Sequence, residues 1–560
     1  MKYTVGVDFG TESGRALLVE VDTGREVATS VYRYKNGVVD RQLPIPGPPI
    51  SLEPDWALQD PDDYVRTLAT TVPAVLADSG VDPADVIGVG VDFTSCTILP
   101  VTAAGDPLCR SERFRRDPHS WVKLWKHHAA QPEADRINEL ARDRDEPWLG
   151  RYGGRISSEW FFAKTLQILD ESPGVYAAAD RIIEAADWIV WQLTGHEVRN
   201  ACTAGYKAIW SKRDGFVGND FLGALDPRLR NVVDEKMSRD LRPVATPAGL
   251  VSKDASRLTG LRPGTPVAVA NVDAHVSVPA CGVTTPGRLV AIMGTSICHI
   301  VLDDREVEVE GMCGVVEDGV LPGLFGYEAG QPAVGDMLGW FVDQAVPPSY
   351  HERARAAGVT VHEVLEADAT RLRPGESGLL ALDWWNGNRS ILVDAGLSGL
   401  LVGATLATRA SDIYRALIEA AAFGTRAIIE AFRAGGVQVG EIVACGGLPD
   451  RNRLLMQTFA DVTGRSISVA SSGQTPALGA AITAAVAAGS DAGGHGCIDD
   501  AVAAMAHIAP IPYQPNPAWT SIYSDLYAEY VRLHDLFGRG HDAAMGNLRV
   551  LRDRARLMAV

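Results

Sequence analysis

The chain has 560 residues, 46% of them hydrophobic, and a formal net charge of −18. That length predicts two or three domains with apolar residues enough for separate cores. The acidic balance excludes a nucleic-acid or anionic-membrane surface as the main partner, so an anionic ligand would have to be held locally by backbone N–H groups and a cation.

The eight cysteines show no CxxC spacing and read as reduced, buried thiols of a cytoplasmic protein. The opening MKYTVGVDFG enters a strand at once, without the apolar core of a signal peptide. The most apolar stretch, residues 477–488, is too short and too rich in alanine and glycine to cross a bilayer. It predicts a buried helix packed closely on a strand.

Residues 5–9 (VGVDF) predict a buried strand, and 16–21 its antiparallel return. Asp8 ends the first strand, where its carboxylate can reach a phosphate-bound magnesium. Gly10 in the turn Gly10-Thr11-Glu12-Ser13-Gly14 can take a positive φ, which would let N–H groups converge on an anion. Taken alone this is an ordinary hairpin. Asp60-Pro61 opens a predicted helix over 60–76. Residues 86–92 (VIGVGVD) form another buried strand ending in an acid, followed by the small polar loop around Ser95 and a strand at 98–101.

Residues 110–128 are basic and aromatic, with Trp121, Leu124, Trp125 and His128 on one helical face. They predict a half-buried helix, one of whose tryptophans could cover a sugar. His127 and His128 are adjacent and cannot share that face, so they are not read as metal ligands. A glycine-rich loop at 149–156 is expected near a ligand, helices at 157–168 and 185–193, and a polar loop at 200–210 leading to Lys207. Residues 264–269 predict a strand whose extension ends at Asp273, which starts a helix. His275 is a rival for any catalytic role, but two residues along a helix turn it roughly 200° away from Asp273.

The pattern of the first hairpin returns in LVAIMGTSICHIVL (289–302), with Gly294-Thr295-Ser296 at its tip. Two such units predict a duplicated α/β domain whose turns grip a triphosphate from both sides. A glycine-rich loop at 326–335 carries Glu328, and WWNGNR (384–389) is a tight turn. Helices are predicted at 412–432, 452–462 and 517–537. The strand 441–445 runs into Gly446-Gly447, where a flat ring could approach the backbone.

The ordered set VGVDFGTESGRALLV, GVDFTSCTILPV, WVKLWKHHAAQ, NVDAHVSVPACG, MGTSICHIV, GYEAGQPAVGDMLGWFV, LLALDWWNGNRSILVD and ACGGLPDRNRLLMQTFADVTGR covers nearly the whole chain. It resembles the FGGY family of carbohydrate kinases, within the sugar kinase/actin/heat-shock ATPase superfamily. The resemblance implies two ribonuclease-H-like α/β domains, 1–282 and 283–560, with the active-site cleft between them. It implies transfer of the γ-phosphoryl of MgATP to a ketopentose, L-ribulose first, with D-ribulose, ribitol, xylulose or glycerol as alternatives inside the family.

By the same resemblance Asp273 is the catalytic base and Asp8 the magnesium acid. Gly10, Thr11, Gly294, Thr295 and Ser296 are the phosphate turns, and Gly446, Gly447 and Asn452 the adenosine site. Ser95, Lys207, Asp273, Glu328 and Trp125 contact the sugar, Ser95 standing where alanine is common in the relevant members. Ketopentose and MgATP are then the partners, with no nucleic acid and no membrane, and the oligomeric state stays open, a homodimer included. The alternative from another class, an actin-like or chaperone-type ATPase, would need a substrate-binding appendage or a polymer surface, and no such segment is evident.

Overall fold

The computed structural model describes residues 1–540 and 542–557. Two sheets of matching topology carry the architecture. In the first, strand Tyr3–Phe9 pairs antiparallel with Ser13–Glu20, which pairs with Glu26–Arg33. On its other side Tyr3–Phe9 runs parallel to Val86–Phe93, followed by Pro266–Ala268 and Pro247–Leu250. In the second, Gly287–Met293 pairs antiparallel with Ile297–Asp303 and parallel with Val439–Cys445, with Phe325–Gln331 and Ile467–Val469 further out on the two sides. The duplicated mixed α/β architecture expected from the two hairpins is therefore present.

Alternation along the strands explains how each sheet is covered. Val5, Val7 and Phe9 enter one core with Tyr64, Leu68, Val72 and Val75 of helix Pro61–Ser79, whose N-cap is Asp60. The other face of the same strands is lined by glycine. A Cβ on Gly6 would lie 1.8 Å from the carbonyl oxygen of Ala477, and one on Gly90 1.9 Å from that of Ala480. Helix Thr475–Ala488 therefore rests backbone on backbone against the first sheet. Its own Gly479 admits the Val276 carbonyl of helix Asp273–Ala280 in the same way, at 1.8 Å. The predicted buried helix on a strand is this element. Among the described residues no helix is long and apolar enough to cross a membrane.

Residues 94–246, inserted between two strands of the first sheet, build a core of their own around Trp148, Phe161, Phe162, Leu166, Ile182 and Phe221. Three local expectations fail here and in the second sheet. Residues 110–128 are not a helix: Val122–Lys123 is a short strand pairing with Leu58–Gln59 and Ile98. Pairing on both sides and the buried Trp121 and Leu124 outweigh the helical spacing. Residues 201–207 are not a loop but helix Ala201–Lys207, which Asn200 caps by accepting from the Thr203 N–H and which is held where Gly205 packs on Val316. Glu328 lies not in a loop but inside strand Phe325–Gln331, whose glycines give room to Tyr206 and Arg389 packed over them.

Candidate active site

The two hairpin tips close alike. The Gly10 N–H donates to the Ser13 carbonyl at 3.0 Å, and the Gly294 N–H to the Ser296 carbonyl at 2.8 Å. Gly10 does not use the left-handed region open to it; the turn closes through that hydrogen bond. A Cβ on Gly294 would meet nothing nearer than the Ser296 oxygen at 4.0 Å, so the space over this tip is open. Thr295 is exposed and Ser296 half-buried. Gly335 lies against this turn, giving its N–H to the Thr295 carbonyl at 2.9 Å. Thr11 is held from two sides: the Trp125 indole donates to its hydroxyl at 3.0 Å, and Gln59 to its carbonyl at 2.7 Å.

Gly446 has φ +94°, and a Cβ there would come within 2.5 Å of the Met293 carbonyl oxygen. Only glycine satisfies both conditions. Gly447 beside it is exposed, with open space where a Cβ would go. Asn452 lies at the start of the next helix. Its carboxamide caps helix Arg453–Thr463 by accepting from the Leu455 N–H, and donates to Tyr414 at 3.2 Å.

Asp8 is buried and paired with Arg15 at 3.1 Å. The pentapeptide VGVDF occurs at 5–9 and again at 89–93, and the copies run side by side in parallel register, Asp8 on Asp92. Asp92 was not singled out from the sequence, although this repeat is visible there. It is fully buried, and neither carboxylate oxygen has a hydrogen-bond partner among the described residues. Burial, then the charges of Asp8 and Asp273, push its carboxyl well above the usual range. Burial likewise raises Asp8, against the pull of Arg15. Two adjacent carboxylates beside the first hairpin tip, one of them Asp92 with both oxygens unpartnered among the described residues, fit magnesium, which takes one or two carboxylates and keeps its waters.

Asp273 opens helix Asp273–Ala280 and accepts from the Ala274 N–H at 2.6 Å. Burial, followed by the Asp8 charge, pushes its carboxyl up to about 7, against the Ala274 hydrogen bond. Glu328 raises it further and Lys207 opposes, so Asp273 stands within electrostatic reach of both Asp8 and the Lys207–Glu328 pair.

Lys207, at the end of its helix, meets Glu328 from the second sheet. The ammonium lies 3.1 and 3.0 Å from the two carboxylate oxygens, and both side chains are buried. Burial would raise Glu328, but Lys207 and then His275 outweigh it and hold the carboxyl well below its ordinary value. Burial would lower Lys207, and Glu328 overrides it. His275 is turned to this pair, 3.4 Å from Glu328 and packed on the Tyr206 ring. Two residues along the helix from Asp273, it faces the ion pair, a contact that helical spacing alone does not reveal. Ser95 is half-buried, with a hydroxyl that has no partner among the described residues. Trp125 is half-buried, its indole N–H already given to Thr11.

Residues 3–279 match the N-terminal domain, and residues 289–488 the C-terminal domain, of the FGGY family of carbohydrate kinases. The chain is 58% identical to the ribulokinase of Halalkalibacterium halodurans over 551 residues, covering 98% of each protein. It is 51% identical to the ribulokinase of Mycolicibacterium smegmatis over 555 residues, covering 99% of this chain and 97% of that protein. Among solved structures, the xylulose kinase from Rhodospirillum rubrum superposes with a TM-score of 0.77 at 23% identity, covering 95% of this chain and 98% of that one. The gluconate kinase from Lactobacillus acidophilus gives 0.77 at 16% identity, covering 98% and 99%.

Proposed function

The chain belongs to the FGGY family of carbohydrate kinases, and from that premise we propose that it phosphorylates L-ribulose to L-ribulose 5-phosphate with ATP, in the catabolism of L-arabinose. The observation that carries the choice of sugar is the series of relatives named ribulokinase, 51% to 58% identical over nearly the full chain. The arrangement of Asp273 between the Asp8–Asp92 acids and the Lys207–Glu328 pair supports it.

In this reading Lys207 and Glu328 hydrogen-bond the sugar hydroxyls, with Ser95 and Trp125 walling the same pocket. Being already ionised and paired, they meet the sugar without first losing water. Asp273 accepts the proton of the terminal hydroxyl late in the transfer, since phosphoryl transfer depends on positioning and charge neutralisation more than on covalent help. The tips at Gly10-Thr11 and Gly294-Thr295-Ser296 take the phosphates, and Gly446-Gly447 admits the adenosine, while Asn452 fixes the helix start behind it. Asp8 and Asp92 would hold magnesium, which supplies neutralising charge to the phosphates. We place the division between the two domains near Gly282, and the protein in the cytoplasm, with a homodimer as the assembly to test by sedimentation.

A coupled ATP-consumption assay over ketopentoses and pentitols tests the assignment. L-Ribulose is expected among the best substrates, with D-ribulose and pentitols tolerated. A clear preference for glycerol or D-xylulose would overturn it.

A further inference from the structure

Helix Phe161–Glu171 is buried on almost every side, from Phe161 through Leu169. In its middle sits Lys164, with no measurable exposure. A buried ammonium without a carboxylate bonded to it is costly unless other acceptors compensate. Its partners are instead two backbone carbonyls: Nζ donates to Cys96 at 2.7 Å and to Leu124 at 2.8 Å.

Those carbonyls belong to two different loops of the sugar pocket. Cys96 follows Ser95 and has φ +55°, in the left-handed region that a side chain rarely adopts. Its carbonyl therefore needs an external anchor to stay where it is. Leu124 precedes Trp125, whose indole is bonded to Thr11 of the first phosphate turn. One ammonium thus fixes the spacing between the Ser95 and Trp125 loops, and reaches the phosphate turn through Trp125. A methionine or leucine would fill the same space in this apolar core, but would take the ammonium from the Cys96 carbonyl and leave the Leu124 carbonyl held only by the His127 N–H, within its own loop.

We propose that Lys164 is a positioning residue for sugar recognition, holding the Ser95 and Trp125 loops at the separation the sugar requires. This rests on Ser95 and Trp125 lining the sugar pocket. The residue touches neither sugar nor nucleotide, so its loss should be felt as misplacement of those two loops.

The test compares Lys164→Met and Lys164→Gln with the wild-type enzyme. Lys164→Met should raise the KM for L-ribulose about tenfold or more, with kcat and the KM for ATP changed less than about threefold. Thermal shift gives a second readout: saturating L-ribulose should stabilise the variant much less than it stabilises the wild type, while MgADP stabilises both alike. Glutamine is one atom shorter than lysine and cannot reach both carbonyls as they stand, so Lys164→Gln should give an intermediate KM. A role in stability alone would lower the melting temperature and leave the KM and both ligand-induced shifts intact. A wild-type KM for sugar in either folded variant would overturn the proposal. If Ser95→Ala and Trp125→Phe also leave sugar binding untouched, the fault lies with the pocket assignment rather than with Lys164.

Discussion

The buried ion pair between Lys207 and Glu328 allows a quantitative prediction. Both nitrogen–oxygen distances are close to 3 Å, at 3.1 and 3.0 Å, and the side chains are 9% and 8% exposed. Removing one partner of such a pair leaves a buried charge uncompensated, at a cost of about 3–5 kcal/mol. Lys207→Met should fall at the lower end, because His275 stays 3.4 Å from Glu328 and can donate to it. Glu328→Gln should cost about as much, since the ammonium then keeps only a neutral acceptor. Combining the two removes both charges, so the double variant should lose less than the summed single losses by about 2 kcal/mol or more. The assay is thermal and urea unfolding of the four proteins, with sugar and ATP kinetics on each. Glu328 titrates below its ordinary value and Lys207 above its own. The carboxylate's contribution is complete above the unfolded pKa of about 4.3 and fades only as pH falls through the lower folded value. The ammonium's contribution is complete below the unfolded pKa of about 10.4 and fades only as pH rises through the higher folded value. The coupling should therefore be flat from about pH 5 to pH 9. Single losses that add to within about 0.5 kcal/mol would show that the pair does not form in solution. An ATP KM that rises as much as the sugar KM would remove the pair from the sugar pocket.

Asp273→Asn should lower kcat by roughly 10²–10⁴, the usual share of general acid–base catalysis, with ATP binding nearly unchanged. Because the Asp273 carboxyl is pushed up to about 7 and must be ionised to accept a proton, wild-type kcat/KM should fall as pH drops below about 7. The residual activity of the variant should not follow that profile. His275→Gln should keep much of kcat but raise the sugar KM through Glu328, and a greater loss of kcat than in Asp273→Asn would refute the assignment of the base. Gly294→Val should fold, since among the described residues beyond its chain neighbours no atom lies nearer than 4.0 Å to a Cβ there, and should lose MgATP affinity by calorimetry. Unchanged affinity would show that this tip is not a phosphate turn. Gly90→Ala places a methyl 1.9 Å from the Ala480 carbonyl oxygen, so a loss of about 1–3 kcal/mol or more is expected in thermal unfolding. A wild-type melting temperature would mean that the helix does not rest on this strand.

Local sequence was enough for the elements whose signals are short in range. The two hairpins, the helix capped by Asp60, the helix Pro517–Gly538 and the strand running into Gly446 all follow from alternation, capping and glycine punctuation. The motif order also determined the family, and with it the candidate residues. Three elements were misread because their conformation is settled by neighbours distant in the chain. Residues 122–123 are extended because Leu58–Gln59 and Ile98 pair with them. Glu328 sits in a strand because Ile300 and Gly314 flank it. The small residues before Lys207 form a helix once Gly205 packs on Val316.

What a residue does in the site was decided in the same way. Asn452 at a predicted helix start already suits a cap, but nothing near it in the chain says that its amide also meets Tyr414. Nothing near Lys164 announces the two carbonyls it binds, 40 and 68 residues away. The VGVDF repeat was legible in the sequence, but only parallel pairing turns two copies of a motif into two adjacent carboxylates. Sequence fixes which chemistry is available and where each strand ends. The charge state of a buried group depends on what the fold packs against it, because in a dry interior a neighbouring charge or its absence outweighs the group's own preference.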